Sequence, residues 1–225
     1  MPTGDAVTLE SPLTTAPDLL AKINRIGLSA ALGEASADAH ERIVAHLSGS
    51  TATESRASYA GWLRRQIRAW SELDLPVVPF GVTDWPLRSL SPRHLDVVGL
   101  LMADLREISP RTRPTLVPRQ SRSTDLPTTG MIMGSAEMCA RLAAPTSHLL
   151  ESAQALTAHL TRVGSSTRYL SRCAEIAAMG DEIAAELDAW ARNVEPAQVA
   201  LAALTSRRLT EELAAALEAR HQTGW

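Results

Sequence analysis

Along most of the chain, apolar residues return every three or four positions, the spacing of one face of an α-helix. The clearest case is residues 52–73. There Tyr59, Trp62, Leu63, Ile67, Trp70 and Leu73 form the apolar stripe, and Arg56, Arg64, Arg65 and Arg68 lie around the other faces. Upstream, Pro17-Asp18 suits the first turn of a helix over 17–33 that turns Leu19, Leu20, Ile23, Ile26 and Leu28 inward. Ser36 is placed to cap the next helix, with Ile43, Val44 and Leu47 on its apolar face. Residues 74–91 break the pattern with three prolines and a glycine. Val77, Val78, Phe80, Val82 and Trp85 suggest short extended pieces there, and the prolines exclude a central strand.

Ser91-Pro92 then opens a second strong helix, whose inward face is Leu95, Val98, Leu101, Met102, Leu105 and Ile108. Beyond the next segment, a short helix is expected over 135–144, ended or kinked by Pro145. Thr146 or Ser147 caps a further one carrying Leu149, Leu150, Ala153, Leu156, Leu160 and Val163. Gly164-Ser165-Ser166 reads as a turn. A helix over 167–192 uses Leu170, Cys173, Ile176, Ile183, Leu187 and Trp190, Pro196 begins another segment, and 207–221 repeats the pattern with Leu209, Leu213 and Leu217. The expected fold is all-α: an antiparallel four-helix bundle with a long Arg/Pro-rich inner loop and extra C-terminal helices. The expected division is an N-terminal helical arm over 1–50, a four-helix core over 51–170 that includes the loop 106–134, and a C-terminal helical extension over 171–225.

Residues 106–130 interrupt this helical reading. They hold Arg106, Arg111, Arg113, Arg119 and Arg122 against Glu107 and Asp125, with prolines at 110, 114, 118 and 127. A long segment of this kind inside a compact chain is functional or disordered more often than incidental. Arginine suits phosphate because its planar guanidinium donates two bonds at once. The alternative is a solvated linker. The formal net charge of the whole chain is −3, so basic character is local and the chain is not a uniformly basic nucleic-acid coat. Lys22 is the one lysine among 22 basic residues, a bias that fits either bidentate contacts or a GC-rich gene.

Candidate chemistry elsewhere is sparse. Cys139 and Cys173 form neither a zinc pattern nor a disulfide framework, and a reducing compartment is expected. No signal peptide and no membrane span are expected, so no membrane partner is assigned. Leu126-Pro127-Thr128-Thr129-Gly130 matches a sortase-type signal but stands mid-chain, without a hydrophobic tail after it. Nucleotide-binding glycine loops, nucleophile elbows and HExxH are missing. His148 and His159 fall on one helical face near Glu151, too few ligands for a metal site. Glu211-Glu212 on a leucine-patterned helix reads as surface charge. No enzyme activity, cofactor or metal is assigned.

The order of elements around the arginine segment resembles the coat proteins of rod-shaped, tobamovirus-like plant RNA viruses. In that family two antiparallel helices joined by a proline-rich outer turn are followed by a flexible inner loop and two more antiparallel helices. Here Arg65 to Trp70 would end the first helix, Pro79-Phe80 through Asp84-Trp85 would be the outer turn, and Leu95-Asp96 through Leu105 the second helix. Arg111 and Arg113 match the family's arginine pair beyond that helix, and Pro127-Thr128-Thr129 a motif late in the loop. Arg141-Leu142 would open the third element, and Arg162 to Arg168 would end the fourth. Ser206 to Leu213 is similar to an Arg-x-x-Phe-Glu ending of related coats, with Leu209 for the aromatic. The chain departs from the family in its loop carboxylates, which are only Glu107 and Asp125. It departs again at Ala143 and Ala144, which replace an acidic pair, and in residues 171–225, which extend past the fourth helix.

The resemblance implies a structural capsid protein that assembles helically with copies of itself around single-stranded RNA. Arg111 and Arg113 would contact phosphate, joined by Arg106, Arg119, Arg122 and Arg141. Its location would be the virion or host cytoplasm, or the bacterial cytoplasm under the alternatives. Those alternatives are a helical DNA-binding module, since residues 51–75 resemble the DNA-clamping helical domain of tyrosine recombinases, or an adaptor or scaffold with a basic interaction loop.

Overall fold

Helical periodicity carries through to the computed structural model, which describes residues 16–48, 50–73, 75, 85–110, 128–158 and 166–219. These residues form α1 (Ala16–Ile26), α2 (Leu28–Ala35), α3 (Ala37–Ser48), α4 (Arg56–Glu72), α5 (Val97–Ile108), α6 (Thr129–Ser147), α7 (Leu150–Thr157), α8 (Arg168–Ala178), α9 (Gly180–Asn193) and α10 (Pro196–Ala219). Two short 3-10 turns, Ser50–Thr53 and Pro92–Leu95, precede α4 and α5. The protein is all-α, with no strand among the described residues.

Strong apolar stripes became helices as expected. In α4, Ser55 caps the first turn by accepting from Ser58 N at 3.0 Å. Tyr59, Trp62, Leu63, Ile67 and Trp70 are then buried. α5 begins later than Ser91-Pro92, because His94 Nδ1 accepts from Ser91 N and holds that stretch as a 3-10 turn. Asp96 caps the helix proper through Gly99 N at 3.0 Å.

Elsewhere the boundaries moved, for local reasons. The helix expected over 17–33 is two helices, split at Gly27, which has φ +92°. A side chain there would meet the Asp188 carboxylate, which instead accepts from Leu28 N (2.7 Å) and Ser29 N (3.2 Å) and so caps α2 from α9. Ser36 does not cap forward; its hydroxyl donates back to Leu32 O at 2.6 Å. The helix expected over 167–192 breaks at Met179-Gly180 into α8 and α9. The segment begun by Pro196 runs unbroken through 219.

The largest difference is α6. A short helix over 135–144 was expected; the observed helix starts at Thr129, capped by Thr128, and continues through Pro145. Pro145 sits in the last turn, where its missing N–H costs the one i→i−4 bond to the Arg141 carbonyl and the helix ends two residues later. α6 packs most extensively on α10 and also meets α8, α3 and α9, so it is buried almost all round. Glycine makes the α10 contact possible. A Cβ on Gly130 would lie 2.5 Å from Gln198 O, and one on Gly134 would collide with Ala202 O. The two helices therefore meet backbone to backbone. One apolar cluster runs from Leu19 to Leu217, drawing on α1 through α10.

Candidate nucleic-acid interface

Three helix ends meet at one pole of the molecule: the start of α4, the end of α5 and the start of α8. Asp104, one turn from the end of α5, is fully buried and accepts from Arg168 N and Tyr169 N, both at 2.9 Å. These are the first two amides of α8, so a carboxylate from α5 caps α8 across the core. Burial pushes the Asp104 carboxyl up to about 6, against the pull of those two amides and of Arg168. The Arg168 side chain reaches Glu107 at 3.4 Å, and Tyr59 donates to Ser166 O at 3.3 Å.

Arginines of α4 close the same pole. Arg56 donates through Nη2 (2.8 Å) and Nε (3.2 Å) to the carbonyl of Ile108, the last residue of α5. Arg64 donates to Ser109 Oγ at 3.4 Å. A guanidinium against the final carbonyl of a helix is favourable for charge as well as hydrogen bonding. Arg106 is exposed in the last turn of α5. The chain therefore leaves α5 toward its arginine-rich stretch from a root already surrounded by Arg56, Arg64 and Arg106. Arg111, Arg113, Arg119 and Arg122, together with the outer-turn residues 79–84, lie outside the described residues. Chain order made Arg106 visible as a candidate. Arg56 and Arg64 were missed because their partners are 52 and 45 residues away.

Compared with protein-family models, curated proteins and solved structures, the chain matches none.

Arg141 stands apart from the other candidates. It does not open a helix but sits well inside α6, where its side chain is 13% exposed. Its Nε lies 3.0 Å from Oε1 of Glu137, a residue only 1% exposed. Arg141 Nη2 also donates to Thr210 Oγ1 at 3.1 Å, and Ser206 donates to Glu137 Oε2 at 2.5 Å. Its Nε and Nη2 are thus committed to the α6–α10 seam, while Nη1 is buried there without a hydrogen-bond partner among the described residues. Helical spacing explains the pairing, since 137 and 141 are one turn apart.

Cys139 and Cys173 are buried, and His94 is half-buried beside them. Cys139 and Cys173 line one small space of about 10 Å³ with Trp70, His94 and Tyr169, room for little more than a water. Burial raises each thiol to about 12, which leaves little thiolate at neutral pH. His94 is lowered by burial and by Arg172, whose Nη1 lies 3.0 Å from Nε2. Among the described residues no group of three His, Cys, Asp or Glu is arranged to hold a metal, and no helix is long and apolar enough to cross a membrane.

Proposed function

We propose that this protein is a structural, non-catalytic subunit that binds single-stranded RNA through phosphate contacts and assembles helically along it as a coat. The observation that supports this most is the root of the arginine segment. Arg56, Arg64 and Arg106 converge where α5 ends, and Arg111 and Arg113 follow within a few residues of chain. A polyanion drawn to the segment meets a body that is already positive at the point of attachment. Phosphate contacts position a protein on nucleic acid without reading sequence, which suits coating of a whole genome. In this reading the framework is four helices packed in the order α4–α5–α8–α6, with the segment joining α5 to α6 on the RNA side. A near-neutral chain is compatible with the role, because each copy neutralises only a few phosphates.

The second reading, a helical DNA-binding or adaptor module, shares the basic pole but requires neither assembly nor RNA. Negative-stain electron microscopy of the purified full chain, with the 260/280 nm absorbance ratio of the same sample, separates the two. Rods or discs with co-purified RNA are expected. Small monodisperse particles that stay free of nucleic acid after RNA is added would overturn the coat reading.

A further inference from the structure

We propose that the solvent face of α4 is a second, pre-ordered phosphate-binding surface for the same single-stranded RNA, formed by Arg64, Arg65 and Arg68. It rests on the reading of the arginine segment as an RNA ligand and extends that site onto the folded body. With Arg56 in its first turn, α4 carries four arginines and one acid, Glu72 at its far end, a local charge of +3 in a chain whose formal net charge is −3. Six arginines elsewhere are matched with glutamates, Arg42 with Glu218, Arg141 with Glu137, Arg168 with Glu107, Arg172 with Glu175, Arg207 with Glu211 and Arg208 with Glu212. The exposed Arg25, Arg88, Arg93, Arg106 and Arg192 have no ion pair among the described residues but are scattered, no two of them in one element. Arg56, Arg65 and Arg68 have no ion-pair partner among the described residues, and all three are exposed.

Helix geometry gathers three of the four and leaves Arg56 on the opposite side of the helix from Arg65. With about 100° per residue, Arg64, Arg65 and Arg68 fall within one arc of roughly a quarter turn, opposite buried Trp62, Leu63, Gln66 and Trp70. Ala57 and Gly61 share that arc. A Cβ on Gly61 would meet only Arg65 Nη1, at 3.8 Å. Small residues between arginines let a sugar–phosphate chain approach the helix closely. Arg64 and Arg68 are one turn apart, about 6 Å along the axis, so successive guanidiniums can engage successive phosphates. At its upstream end the surface adjoins the end of α5, because Arg56 donates to Ile108 O and Arg64 to Ser109 Oγ. α4 is ordered by its own cap and apolar face before any ligand binds, so its contacts carry no cost of folding on binding.

The test uses the full chain and a short fluorescein-labelled oligouridylate, with binding followed by anisotropy across a series of salt concentrations. The double variant R65A/R68A touches two exposed side chains, and its circular dichroism should match the parent. It should bind roughly tenfold more weakly, and its log K against log[salt] slope should shrink by about 1.4, or about 0.7 per lost contact. If R65A/R68A keeps the parental affinity and slope while R111A/R113A loses both, α4 is merely a solvated face and the proposal is wrong. If the parent binds no oligouridylate at all, the RNA reading of the segment fails first and this surface falls with it. If duplex DNA outcompetes the oligouridylate and R65A/R68A abolishes that preference, the surface is for duplex DNA and the RNA assignment is overturned.

Discussion

The seam between α6 and α10 and the outer face of α4 use arginine in opposite ways. In the seam Arg141 is drawn inward against a carboxylate that is itself almost wholly buried. On α4, Arg65 and Arg68 stand in solvent without an ion-pair partner among the described residues. The seam has glycines at the contact, which bring two backbones so close that polar groups are sealed off from water. There the ion pair must be complete, because an isolated charge in a desolvated site is very costly. The α4 face has tryptophans and leucines behind it, so the helix is held by apolar packing, and Arg65 and Arg68 point into solvent. Burial and partner supply, not residue type, separate a structural arginine from a binding one.

The largest break in this comparison should come from Arg141→Ala, which strands Glu137 in the seam. We expect a loss of about 3–5 kcal/mol in urea unfolding. The paired change E137Q/R141M should recover most of it, since removing both charges removes the need for pairing. Gly134→Ala comes next. Its new methyl group meets the Ala202 carbonyl, α6 and α10 must separate, and about 3 kcal/mol should be lost, read as a lower melting temperature.

Asp104 provides a pH test at the basic pole. Its carboxyl, pushed up to about 6 by burial, binds a proton more tightly in the folded chain than in the unfolded one. Its contribution to stability is therefore present below the ordinary carboxylate range and is lost as pH rises through about 6. A shift of about two pH units corresponds to about 3 kcal/mol. Urea midpoints across pH 4 to 7 should show that decline in the parent, and Asp104→Asn should flatten it. Asp188→Ala should have the smallest effect, about 1 kcal/mol, by uncapping α2, with local amide exchange at Leu28 and Ser29 speeding up.

The same contrast explains what could be read in the sequence. α4 was legible because one face is apolar and the other is not, and its inward residues were named correctly from spacing alone. α6 was not, because a helix covered on nearly every side has no polar face to give it a period. Its Gly130 and Gly134 fall in the loop expected over 106–134, and the close approach of α10 that explains them involves residues more than sixty positions away. The breaks at Gly27 and Met179 were hidden for a similar reason, since Gly27 is fixed by a carboxylate from α9. At the candidate interface, Arg106 was legible as part of a basic run. The contribution of Arg56 and Arg64 required knowing that α4 and α5 lie side by side.

Whether the arginines that follow α5 in the chain hold RNA is open to direct measurement. The direct measurement is oligouridylate binding by the full-length R111A/R113A variant beside the parent, with circular dichroism on both. We predict unchanged helicity, affinity reduced roughly tenfold or more, and a salt slope smaller by about 1.4. Unchanged affinity and slope in a variant that remains fully helical would contradict RNA binding by these arginines.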